Sequence, residues 1–150
     1  MVVGNSFKKS AFLPPFQNQG KWDTLQLAKI RPAYQAQMEA LDGALRAGGL
    51  GDLGWIWKRP EGGLYLWLEA PNALDTGLES EFCQACVEAG VLYVPGALCF
   101  GDSPTNYCIR LSFGVLDLSG LKEAARRFVG ITRRFTKQPD VKSDGKTDLD

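Results

Sequence analysis

Between residues 32 and 45 the apolar side chains Tyr34, Met38, Leu41 and Leu45 recur at helical spacing, so they form one stripe of an amphipathic helix. Pro32 suits the first turn of such a helix, where its missing N–H has no intrahelical acceptor, and Gly48-Gly49 marks the end. The period then changes. In WIWKRPEGGLYLWLEAP, two short runs, Trp55 to Lys58 and Leu64 to Glu69, flank a Pro and Gly turn and predict an antiparallel hairpin. Thr76 followed by Glu79 has capping-box spacing, and Leu78, Phe82, Cys86 and Ala89 share a face up to Gly90, which predicts a second helix over 77–89. VLYV, Val91 to Val94, predicts a strand that Pro95-Gly96 ends in a turn. In YCIRLSFG, strand alternation puts Tyr107, Ile109, Leu111 and Phe113 on a core face and Cys108, Arg110 and Ser112 on the other. Ser119 opens a third helix with Leu121, Ala125, Phe128, Thr132 and Phe135 inward and Arg126, Arg127, Arg133 and Arg134 on a solvated face.

The predicted order is α-β-β-α-β-β-α, an α+β fold: a two-layer sandwich of a small, mostly antiparallel sheet with helices on one face. Residues 1–23 lack a sustained period and contain Pro14, Pro15 and Gly20, so they are expected to be an irregular arm. Residues 24–135 form the domain, and the polar, charged stretch 136–150 is expected to be a disordered tail. Covering the sheet on one side leaves Arg110 on the other. By alternation alone it is an exposed arginine on the wet face of a half-buried sheet.

Composition narrows the choice of chemistry. At 150 residues, with 45% hydrophobic and 23% charged, the chain can bury a core without disulfide staples. Formal net charge is zero and no basic run is interleaved with aromatics, which argues against a nucleic-acid surface. No apolar run approaches the roughly 20 residues that span a bilayer. MVVGNSFKKSAFLPPF carries basic residues before an apolar patch, but two prolines interrupt it and no small-residue cleavage site follows, so a cytoplasmic location is expected. There is no histidine, which removes Ser-His-Asp and Cys-His machinery and every His-containing zinc site from this chain. Cys83 and Cys86 fall in a helical pattern and Cys99 and Cys108 are spread out, unlike paired knuckles, so no metal site is expected and the cysteines act as small hydrophobes.

Three blocks in register carry a resemblance: PEGGLYLWLEAP (Pro60 to Pro71), EAGVLYVPGALCF (Glu88 to Phe100) and NYCIRLSFG (Asn106 to Gly114). Together they resemble the C-terminal small domain of class I/II aminotransferases, the fold-type-I enzymes that use pyridoxal 5'-phosphate. The likeness extends over residues 24–135 and is nearest to branches handling aromatic, branched-chain or aminoadipate-like amino acids. The helix holding Arg31-Pro32-Ala33-Tyr34 looks like the family's linker helix. The resemblance implies that Arg110 grips the substrate α-carboxylate, that Gly62 and Gly63 border the substrate cleft, and that Pro95-Gly96 is the family turn leading towards the site. A hairpin turn explains the glycine pair equally, and simple strand termination explains Pro95-Gly96.

The resemblance also implies what is missing. The family's Schiff-base lysine, the Asp paired with the pyridinium nitrogen and the phosphate cradle lie in a large domain for which this chain has no room. SFKKS, with Ser6-Phe7 and Lys9, is similar to the segment around the family's lysine, but lies only a short way before the linker-like helix. Two readings follow. The chain is the small-domain portion of a pyridoxal-phosphate aminotransferase, inactive alone and completed by a large domain or a homodimer partner. Alternatively, it is a non-enzymatic docking or self-association module that keeps the fold.

Overall fold

The computed structural model describes residues 19–71, 74–99 and 106–136. Within them lie helix α1 (Gln19–Ala47), strands β1 (Ile56–Trp57) and β2 (Tyr65–Glu69), helix α2 (Glu81–Glu88), strands β3 (Val94–Pro95) and β4 (Cys108–Ser112), and helix α3 (Leu118–Thr136). The strands form one antiparallel sheet in the order β1-β2-β4-β3, with Leu66 opposite Leu111 and Leu68 opposite Ile109. Those four side chains are buried and share one core with Met38, Leu41 and Leu45 of α1, Phe82 and Cys86 of α2, and Leu121, Ala125 and Phe128 of α3. All three helices therefore cover the same face, the expected two-layer α+β arrangement. Trp55 meets Phe82 and Phe128 at ring centroid distances of 5.9 and 5.2 Å, an aromatic centre joining the β1 entry to α2 and α3.

Several local expectations change. Helix α1 runs through Pro32 instead of beginning there, and it starts inside the segment expected to be an arm. The carbonyl of Ala28, which loses its helical donor to the proline ring, lies on an exposed stretch where water can serve it. The cap of α2 is Ser80, whose Oγ accepts the Cys83 N–H at 3.1 Å; Thr76 is fully buried and its hydroxyl donates to the Asn106 carbonyl at 2.8 Å. Leu78 consequently falls outside the helix and is exposed. Asp117, not Ser119, caps α3, accepting the Gly120 N–H at 2.6 Å.

Val91, expected to open a strand, instead closes α2. Its N–H reaches the Cys86 carbonyl at 2.8 Å across Gly90, whose φ of 74° favours glycine, and this displaces the strand to Val94–Pro95. Tyr107 does not join the core. It stands in the turn before β4, exposed, with its carbonyl accepting the Ala70 N–H at 2.6 Å. The arginines of α3 are only partly a solvated face: Arg127 donates to the Ala89 carbonyl at 3.1 Å and Arg133 to the Gly48 carbonyl at 2.7 Å, closing the C-terminal ends of α2 and α1.

Candidate functional site

The sheet face turned away from the three helices carries the candidate chemistry. Alternation along β2 turns Tyr65, Trp67 and Glu69 outward while Leu66 and Leu68 turn in, and along β4 it sends Arg110 and Ser112 to the same outer face. Arg110 occupies the middle of this face, opposite Trp67 on one neighbouring strand and Val94 on the other. Cys108 shares the outer side by alternation but is buried, because the turn at Gly96 packs on it: a Cβ on Gly96 would lie 2.8 Å from the Cys108 Cβ. Here the glycine of the Pro95-Gly96 pair is required by close approach of the backbone.

The guanidinium of Arg110 lies 4.3 Å from the ring centroid of Tyr65, the diagonal neighbour across β2 and β4. Its Nε is closed off from solvent and has no hydrogen-bond partner among the described residues, and none of their carboxylates forms an ion pair with it. A buried donor left unpaired costs about 1–3 kcal/mol. The side chain is thus half-buried, seated against an aromatic ring, and without an acid partner among the described residues.

Gly62 and Gly63 lie elsewhere. They line a groove of about 870 Å³ between α1 and the turn before β2, with Leu27, Ile30 and Tyr34 on the helix side and Phe113 also lining it. Gly63 has a φ of 87°, a conformation the turn needs, whereas a Cβ at Gly62 would meet nothing within 4 Å. Arg110 does not line this groove. Arg59, just before the pair, is tied to Glu39 of α1 at 2.8 Å.

Sequence reasoning passed over Asp42. It is buried on α1, accepts the Trp57 Nε1–H at 2.7 Å and both of its oxygens face Arg46 Nε at 3.0–3.1 Å. The aspartate ties the helix to β1, and the signal was an acid placed beside Leu41 in the apolar stripe. Among the described residues no group of three or more potential metal ligands gathers, and no helix is long and apolar enough to cross a membrane.

The family model for aminotransferase class I and II matches residues 4–128. The chain belongs to the class I and II aminotransferase family. A 2-aminoadipate transaminase of Thermus thermophilus is 31% identical over 102 residues, which cover 68% of this chain and 24% of that protein. An aromatic-amino-acid aminotransferase of Thermococcus litoralis is 30% identical over 82 residues, 55% of this chain and 19% of that one. The chain spans about a quarter or less of the length of these curated relatives. Among solved structures, an α-aminoadipate aminotransferase from Thermus thermophilus, complexed with N-(5'-phosphopyridoxyl)-L-leucine, has a TM-score of 0.68 at 24% identity over 79% of this chain and 29% of that one. A multiple substrate aminotransferase from Thermococcus profundus gives 0.67 at 25% identity over 77% and 28%.

Pyridoxal phosphate is the cofactor of this aminotransferase family, and the described residues do not by themselves fit it. Lys29, Lys58 and Lys122 are each exposed, on α1, just past β1 and on α3. Lys9 and the SFKKS segment fall inside the matched range but outside the described residues.

Proposed function

We propose that this chain supplies the small-domain side of an aminotransferase substrate site, in which Arg110 takes the α-carboxylate of an amino acid or 2-oxo acid, and that it does not transaminate alone. The observation that carries this reading is the state of Arg110 itself: a half-buried guanidinium on the open sheet face with no acid partner among the described residues. A charge so placed gains from an external anion. A carboxylate answers it best, since its two oxygens match the planar fork of the guanidinium and two parallel hydrogen bonds fix orientation as well as charge. Fixed orientation is what a reaction at the adjacent Cα needs. The lysine, acid and phosphate contacts come from a large domain, which the longer relatives have room for.

The purified chain, incubated with pyridoxal phosphate, a panel of amino acids and 2-oxoglutarate, is expected to form no new amino acid and to show no visible aldimine band. Borohydride should trap no stoichiometric adduct on a single lysine. A specific adduct at Lys9 would overturn the claim that the chain is inactive alone.

A second reading has its own observation. The open face also exposes Ile56, Tyr65 and Trp67, at 66%, 42% and 42%, which suits a docking or self-association module. Light scattering separates the two: that module requires a complex that Ile56→Lys dissolves, whereas the carboxylate reading requires a response of Arg110 to small carboxylates.

A further inference from the structure

We infer that Tyr65 is a positioning residue for Arg110: its ring holds the guanidinium so that the two terminal nitrogens, not Nε, form the edge offered to a carboxylate. The inference deepens the reading of Arg110 as a carboxylate clamp and rests on it for the identity of the ligand. An arginine on an exposed strand face samples many rotamers, and each free torsion blurs the direction of its fork. Tyr65 removes that freedom. It stands opposite Ser112 in the register, one diagonal step from Arg110, close enough for its ring to lie 4.3 Å from the guanidinium carbon.

Contact with the ring face restrains the guanidinium but leaves a choice of edge. A carboxylate can meet an arginine side-on, through Nε and one terminal nitrogen, or end-on, through both terminal nitrogens. Nε is the one guanidinium nitrogen of Arg110 that is both closed off and unpartnered, so the side-on approach is shut. The end-on edge remains. The ligand class that follows is a carboxylate presented along the axis of the Arg110 side chain, in the plane of its guanidinium.

The experiment compares wild type, Tyr65→Phe and Tyr65→Leu. Tyr65 is 42% exposed, so each variant should keep the core, and circular dichroism checks this. The first readout is the Arg110 side-chain N–H signal in nitrogen–proton correlation spectra, assigned with Arg110→Gln. Ring current should displace it upfield in wild type and Tyr65→Phe, with the displacement lost in Tyr65→Leu. The second readout is the rate at which phenylglyoxal modifies Arg110, followed by peptide mass spectrometry, with and without 4-methylpentanoate or its uncharged amide. Protection by the carboxylate alone is expected in wild type and Tyr65→Phe, and it should fall about two- to fivefold in Tyr65→Leu, the share of an exposed cation–π contact. An unchanged Arg110 signal and unchanged protection in Tyr65→Leu would overturn the role of Tyr65 while leaving the clamp standing. A wild type that the carboxylate does not protect, or protects no better than the amide, would instead overturn the clamp itself.

Discussion

Arg110 and Asp42 are both charged side chains drawn partly out of water, and they differ in what compensates them. Arg110 has no acid partner among the described residues, so its charge contributes little to the fold. Arg110→Gln should change stability by under about 1 kcal/mol in urea unfolding, because it removes a desolvated donor along with the charge. With a compatible large domain restored, Arg110→Lys keeps the charge but loses the fork. Turnover of amino acids should then fall on the order of tenfold to a thousandfold, with amines lacking the carboxylate affected much less. Equal losses for both substrate types would return Arg110 to an ordinary surface residue.

Asp42 is compensated. Burial favours its neutral form, but hydrogen bonds from Arg46 and Trp57, with the charges of Arg46 and Arg59, outweigh it and hold the carboxyl below its ordinary value of 3.8. A depressed folded value means that the ionised aspartate stabilises the fold above the unfolded value and loses that contribution as pH falls through the folded one. Wild type should therefore weaken below about pH 4, and Asp42→Asn should be about 1.5–3 kcal/mol less stable at pH 7, with a smaller difference at pH 3. Denaturation midpoints of both proteins at the two pH values decide it; parallel curves would remove Asp42 from the acid response.

At the scale of elements, the helix stripes were legible because a period of 3.6 reports burial directly: Met38, Leu41 and Leu45 on α1, and Leu121, Ala125 and Phe128 on α3, are all buried. Ends were less legible, since a cap depends on which acceptors the chain brings near. Thr76 and Glu79 have the right spacing for a capping box, yet the segment entering β4 passes close to Thr76 and captures its hydroxyl, and Tyr93 donates to the Thr76 carbonyl at 3.0 Å. Ser80 then caps α2 alone. Ser80→Ala should cost about 1 kcal/mol. Thr76→Val should cost about 0.5–1.5 kcal/mol through its lost hydrogen bond, and Glu79→Ala should stay within about 0.5 kcal/mol. A large loss at Glu79 with none at Ser80 would restore the capping box. Arg127 and Arg133 follow the same logic: their contacts with Ala89 and Gly48 join residues 38 and 85 positions apart, beyond any local pattern.

For the molecule as a whole, the α+β class and the family were both readable from the sequence. Alternation placed Arg110 opposite Ile109 and Leu111, and the spacing of three blocks carried the likeness to aminotransferases, because both depend on order along the chain. The same alternation misplaced Tyr107, which lies in a turn before the strand begins. What only the tertiary structure decided is how Arg110 is held. Tyr65 is 45 positions away in the chain and reaches the guanidinium only because β2 pairs with β4 in one register, with Tyr65 opposite Ser112. Tertiary packing likewise set Gly62 and Gly63 at a groove beside α1 that Arg110 does not line. Periodicity fixes which face a side chain joins; strand pairing and helix packing choose its neighbours, and those contacts set the edge on which an arginine can meet a ligand.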